Sequence, residues 1–151
     1  MPDMLVPLYR LPAVPEIPEG LELRPARPYE GHALLGFVAE HFNEKWVSEV
    51  TLALAAQPAK VLVAVEGGRC LGFACYDVTA RGFFGPTGVD PAARGRGLGK
   101  LLLLGALDAL KQDGFAYSVI GQAGPVEFYQ NTCGATVIPD SEPGYYGNSF
   151  A

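Results

Sequence analysis

The stretch Arg94-Gly95-Arg96-Gly97-Leu98-Gly99-Lys100 decides the fold. It stands between a strand-like run ending at Val89 and a segment that continues Leu101-Leu102-Leu103-Leu104. A strand, a glycine-rich turn and a helix in that order build an anion site from the backbone alone. Glycines let the main chain approach a ligand closely. The first N–H groups of a helix have no partner within it, and the helix dipole adds partial positive charge there. Arg94, Arg96 and Lys100 place three of the chain's 11 Lys and Arg residues in this one turn. A phosphate or pyrophosphate ligand is expected.

Two common phosphate loops do not fit. A Walker-type loop needs glycine where Arg94 stands, and Ser or Thr where Leu101 stands. A dinucleotide fingerprint starting at Gly95 needs glycine at Lys100, and no acidic residue ends a second strand about 20 residues on. Arg-x-x-Gly-x-Gly does fit, as Arg94, Gly97 and Gly99, with Val89-Asp90-Pro91 before it and the leucine run after it. This segment resembles the acyl-CoA motif of the GCN5-related N-acetyltransferases (GNAT family). Glu127-Phe128-Tyr129-Gln130-Asn131-Thr132-Cys133-Gly134-Ala135 is similar to that family's Phe-Tyr-x-x-x-Gly segment, at the downstream spacing the family requires. The resemblance runs in element order over residues 21–138 and is strongest over 84–105.

Several expectations follow from the resemblance. The family's fold is α/β, with a mixed, mainly antiparallel central sheet flanked by helices. Its activity is transfer of acetyl from acetyl-CoA, the co-substrate, directly to a primary amine of a small molecule or peptide. The loop Arg94, Gly95, Arg96, Gly97, Leu98, Gly99 and Lys100 would hold the CoA pyrophosphate. Thr87 and Val89 would pair with the pantetheine arm, and the Val89 amide would be the oxyanion donor. Tyr129 would be the general acid for the leaving thiolate, since a phenol with a reference pKa near ~10 is protonated at neutral pH. Gln122 would reach the pantetheine where many relatives have Asn. Phe128 would pack, and touch the cofactor.

Composition bounds the alternatives. The chain has 151 residues, 49% hydrophobic and 18% charged, which suits one globular domain of residues 21–151 behind a proline-rich extended segment of residues 1–20. That first segment carries Pro2, Pro7, Pro12, Pro15 and Pro18, with at most a short edge strand around Leu5–Leu11. No apolar run is long enough for a membrane span and no signal-peptide pattern begins the chain, so a cytoplasmic location is expected. A formal net charge of −5 argues against nucleic acid as a partner. Cys70, Cys75 and Cys133 lack metal-ligand spacing, and His32 and His41 cannot build a zinc site, so no metal is expected. A homodimer suits the family, through the N-terminal segment or the last strand, but the sequence names no interface.

The expected element order is β-α-α-β-β-β-α-β-α-β. The first strand is Leu21–Arg24. Helices start at Pro28 or Tyr29 and at Lys45, the second ending before Pro58. Val61–Glu66, a Gly67-Gly68 turn and Cys70–Asp77 read as a hairpin. Gly82–Val89 contains Gly85-Pro86, which marks a bulge or an edge. Leu98–Gln112 is the main helix, stopped by Gly114. Ala116–Ile120, the short helix Pro125–Thr132 and Thr136–Ile138 complete the chain.

The base that frees the amine is not identified by the sequence. His41, Glu44 and Glu66 are candidates, and a water chain serves several relatives. Glu127 adjoins Tyr129 and so does not share its helix face. His32 reads as a partly buried structural residue. The acceptor site is expected from residues 41–48 and the tail after 139, where Tyr145 and Tyr146 stand. Two other readings stay open: a non-catalytic acyl-CoA-binding module acting as sensor or partner, and an acyltransferase using a longer acyl-CoA.

Overall fold

The computed structural model describes residues 1–150. Seven strands form one sheet: β1 (Met4–Pro7), β2 (Leu21–Pro25), β3 (Val61–Glu66), β4 (Arg69–Tyr76), β5 (Phe83–Val89), β6 (Tyr117–Ile120) and β7 (Thr136–Val137). Four α-helices accompany them: α1 (Gly31–His41), α2 (Glu44–Leu54), α3 (Leu98–Gln112) and α4 (Val126–Cys133). The spatial order is β2-β3-β4-β5-β6-β1-β7. Every neighbouring pair is antiparallel except β5 and β6. The mixed, mainly antiparallel sheet expected from the sequence is therefore the one observed.

Two apolar cores lie on either side of the sheet. One is built on α3, whose Leu101, Leu102, Leu103 and Leu104 are all buried. Four consecutive buried leucines span more than one face of a helix, so α3 is enclosed nearly all round. Each fully buried leucine contributes about 1.5–3 kcal/mol relative to exposure. The other core sits under α1 and α2, with Leu34, Val38, Val50, Ala53 and Phe73. The α2 N-terminus is capped by Asn43, whose Oδ1 accepts the Trp46 N–H at 3.0 Å.

The N-terminal segment departs from expectation. β1 is not an edge strand over Leu5–Leu11. It spans Met4–Pro7 and lies between β6 and β7, followed by a 3-10 turn at Leu8–Arg10. Met4, Val6 and Leu8 are 0% exposed. The prolines hid an alternating apolar pattern of period two, and Pro7 ends the strand rather than excluding it. The segment's start thus belongs to the core of the same sheet. The first helix also begins later than expected. Pro28–Glu30 is a 3-10 turn held by Glu30, which accepts the Arg27 N–H at 2.7 Å, and α1 starts at Gly31. His32 is exposed rather than partly buried.

What positions the site is the parting of β5 from β6. Their parallel ladder covers only Phe83↔Val119 and Phe84↔Ile120. β6 then ends while β5 runs on to Val89. At that point Cys75 of β4 faces both Gly85 and Pro86 of β5, so the register shifts between Ala74 and Tyr76. This is the bulge the Gly85-Pro86 pair suggested, and it bends β5 away from its neighbour.

Candidate active site

A cleft of about 400 Å³ opens where β5 and β6 separate. Its walls come from β5 (Phe84–Thr87), the loop after β6 (Gly121, Gln122), α4 (Tyr129), the start of α2 (Trp46, Glu49) and the C-terminal tail (Tyr146). Tyr129 packs with the α3 core and Trp46 with the α2 core. The cleft is therefore reached from both faces of the sheet.

Thr87 lines it, Val89 lies beyond its wall, and the main-chain groups of both turn away from β4. Asp90 N–H donates to Leu71 O at 2.8 Å, and the register pairs Gly88 with Phe73. In an antiparallel ladder such bonded pairs alternate with non-bonded ones. Gly88 thus faces β4, while the N–H and C=O of Thr87 and Val89 face the side that β6 has vacated. The Thr87 hydroxyl is occupied, donating to Phe73 O at 2.9 Å. Gly88 has a packing reason as well. A Cβ there would collide with the Phe42 ring.

At the end of β5 the chain turns through Pro91–Ala93, with Asp90 Oδ1 accepting the Ala92 N–H at 2.9 Å. Gly97 caps α3 at φ 78°, a left-handed conformation that favours glycine. Its carbonyl accepts the first helical bond from Leu101 N–H at 3.2 Å, which leaves the amides of Leu98, Gly99 and Lys100 at the free N-terminus. A Cβ built on Gly95, Gly97 or Gly99 meets nothing within 4 Å. The loop presents its amides to open space, which fits a bulky anion. Leu98 contributes only its backbone, since its side chain is buried in the core. Arg94 and Lys100 are exposed. Arg96 is tied to Glu66 by contacts of 2.6 and 3.1 Å, which hold the Glu66 carboxyl below its ordinary range.

Tyr129 is 8% exposed and borders the cleft. Burial raises its phenol pKa, so it stays protonated at neutral pH. Its position is fixed by Phe128 and Phe84, whose rings lie 5.2 and 6.5 Å away, edge-on. Phe128 packs against the α3 core and is not part of the cleft wall. Gln122 is on that wall, at φ 50°, with its N–H donating to Asp3 Oδ1 at 3.0 Å.

None of the three side chains considered as a base lines the cleft. His41 packs edge-on against Phe37 at 4.9 Å, Glu44 is exposed at the start of α2, and Glu66 is held by Arg96. The cysteines are not activated. Burial pushes the Cys70 and Cys133 thiols up to about 11, and Cys75 higher still.

The acceptor-side segments, residues 41–48 and the tail, do reach the cleft, through Trp46 and Tyr146. The sequence reading missed Glu49, one residue beyond the first segment. The signal was there: Trp46, Glu49, Val50 and Ala53 share one helical stripe, and a carboxylate on a buried stripe asks for a reason. It also missed Asp3. Its buried carboxylate accepts N–H groups from Gln122 at 3.0 Å and Tyr145 at 2.8 Å, joining the N-terminal segment, the loop after β6 and the tail.

The family model of the GNAT acetyltransferases matches residues 23–135. The chain belongs to the GNAT family. Among solved structures, it is similar to a GCN5-related N-acetyltransferase from Sphaerobacter thermophilus: 26% identity, TM-score 0.74, covering 91% of this chain and 48% of that one. A GNAT family acetyltransferase from Brucella melitensis, solved in complex with acetyl-CoA, is 27% identical with TM-score 0.55, over 72% of this chain and 80% of that one. The glucosamine N-acetyltransferase region of a fungal multi-domain protein shares the GNAT fold at TM-score 0.74 and 19% identity, covering 91% of this chain and 19% of that one. The chain thus spans less than half the length of the first and third of these. No curated protein matches it. No helix is long and apolar enough to cross a membrane among the described residues.

Proposed function

We propose that this GNAT chain is an acetyl-CoA-dependent N-acetyltransferase that moves acetyl directly from the CoA thioester to a primary amine of a small molecule or peptide. One observation carries the reading: β5 leaves β6 just before the free N-terminus of α3, and Tyr129 borders the gap.

In this reading the amides of residues 95–100 take the pyrophosphate, with Arg94 and Lys100 adding charge from the solvent side. Arg96, held by Glu66, braces the loop instead of reaching for phosphate. Thr87 and Val89 offer the pantetheine the hydrogen bonds that β6 does not make. The Val89 N–H donates to the thioester oxygen as negative charge develops there. The amine nitrogen bonds to the acetyl carbon, the C–S bond breaks, and the Tyr129 hydroxyl gives its proton to the departing sulfur. A raised phenol pKa suits this direction of transfer, since the proton is present when the thiolate forms. Gln122 reaches the same channel from the loop after β6. The amine loses its proton to water at the open mouth of the cleft: His41, Glu44 and Glu66 do not line it, and Glu49, which does, is engaged by the hydroxyls of Thr79 and Tyr146.

The test is thiol release from acetyl-CoA in the presence of a panel of primary amines, with the N-acetyl product identified by mass. Release of CoA with formation of an acetamide is expected. A folded chain that binds acetyl-CoA yet acetylates none of a broad panel would favour the non-catalytic binding module.

A further inference from the structure

Glu49 is half-buried on the cleft wall and is held as if to stay still. Its Oε1 accepts the Thr79 hydroxyl at 2.5 Å and the Tyr146 hydroxyl at 3.0 Å. The two hydroxyl oxygens lie 3.2 Å apart. These donors come from the β4–β5 turn and the C-terminal tail, far apart in sequence. Oε2 takes no protein partner, and no Lys, Arg or His of the described residues pairs with this carboxylate. Trp46 and Tyr146 border the same space. A fixed carboxylate beside aromatic faces is suited to a cation. Lys45 also touches the cleft, but its side chain is exposed and its field is screened by solvent and salt.

Glu49 shares the cleft with Thr87 and Tyr129, and its partners set it toward the end where β5 and β6 part. Tyr146 crowds Gly121, and the Tyr145 ring packs tilted against Phe83 at 4.8 Å. Both place the cluster where β5 and β6 part, level with Phe84. Val89 lies five residues further along β5, at most about 16 Å, since the bulge at Gly85-Pro86 shortens the strand. Allowing about 3 Å at each end for contact leaves up to about 10 Å between the acylated nitrogen and a group on Glu49.

We propose that Glu49, set by Thr79 and Tyr146, binds a second cationic group of the acceptor, so that the substrates are diamine-like or carry a basic side chain remote from the reacting amine. Glu49 is then a specificity residue and takes no part in bond making. The proposal rests on the N-acetyltransferase reading for its meaning, but its test does not need turnover.

The probes are the five-carbon and eight-carbon terminal diamines, compared with pentylamine and octylamine. Each is titrated calorimetrically into the full chain with and without CoA. Each diamine is expected to bind about tenfold or more tightly than the monoamine of equal length, as a partly desolvated charge pair allows. Glu49→Gln keeps an acceptor for Thr79 and Tyr146 and should fold. It should remove the diamine preference while CoA affinity stays unchanged. Glu49→Asp keeps the charge and should retain part of the preference. Equal affinity for diamine and monoamine, no binding of either, or a preference that survives Glu49→Gln overturns the proposal. The CoA titration reads the enzyme assignment separately. A chain that takes no CoA but still selects diamines through Glu49 would sink that assignment and keep the cation site.

Discussion

The two ends of the cleft are built differently. In the proposed reading the phosphate end is one continuous segment, β5 to α3, and would work through backbone: the amides at the start of α3 and the main-chain groups of Thr87 and Val89. The acceptor end is assembled from α2, the β4–β5 turn, the loop after β6 and both terminal segments, joined by side-chain hydrogen bonds. Glu49, Thr79 and Tyr146 meet across 97 positions of sequence between the first and last. A backbone site tolerates side-chain change and fails when glycine is replaced. A side-chain site behaves the other way round. That contrast is testable at each end.

Gly97→Trp should have the largest effect. The indole would fill the space over the α3 N-terminus, and acetyl-CoA affinity should fall about a hundredfold or more. The left-handed φ of 78° adds roughly 1–2 kcal/mol of strain, so the melting temperature should drop by several degrees without loss of fold. Unchanged affinity would remove the loop from the site. By contrast, Arg96→Ala should weaken binding little, because the guanidinium already serves Glu66.

Tyr129→Phe sits between the two ends. It should lower kcat about a hundredfold, the lower range for a lost general acid, and leave acetyl-CoA affinity alone. An undiminished kcat with a proven acceptor would assign the proton to another group or to water.

Asp3→Ala probes the assembled end. It strands the part-buried backbone N–H groups of Gln122 and Tyr145, so each loss lies toward the low end of the about 1–3 kcal/mol that a buried unpaired donor costs. Stability should fall by about 2 kcal/mol or more, and KM for the amine should rise as the tail loosens, with CoA affinity preserved. Parallel losses of amine and CoA binding would mean that the two ends are not independent.

The smallest expected effect is a control away from both ends. The hydrogen bonds from Arg24, at 2.7 Å to each oxygen, hold the Glu30 carboxyl at about 2, below its ordinary 4.5. The unfolded chain therefore takes up this proton first as pH falls. The stability Glu30 contributes is full above about 4.5 and is lost on the way down to about 2. Asp77 also titrates below its ordinary value: burial would raise it, but Lys60, the Gly82 N–H and Arg81 together outweigh that. Glu30→Gln should accordingly flatten, without abolishing, the fall of melting temperature in acid, and leave both ligand affinities unchanged.

The same contrast explains what the sequence revealed. The glycine turn at the start of α3 and the bulge at Gly85-Pro86 were legible because local chemistry dictates them: glycines at a helix start and a proline inside a strand; the roles proposed for Thr87, Val89 and Tyr129 come from the family resemblance instead. α3 was read to its limits, Leu98–Gln112, because a leucine-rich helix followed by glycine has clear ends. β1 was underread because prolines at both ends of Met4–Pro7 masked its alternation, and only β6 and β7 give it partners. Asp3 and Glu49 were missed because their roles depend on residues up to 142 positions away. A side chain's meaning is local only when its partners are.

The most direct measurement is calorimetric titration of the full chain with acetyl-CoA, CoA and ATP. The account predicts micromolar or tighter binding of acetyl-CoA and CoA, and none of ATP, since the loop alone does not suffice without the pantetheine contacts at Thr87 and Val89. Failure of a well-folded chain to bind acetyl-CoA, or equal binding of ATP, would contradict it.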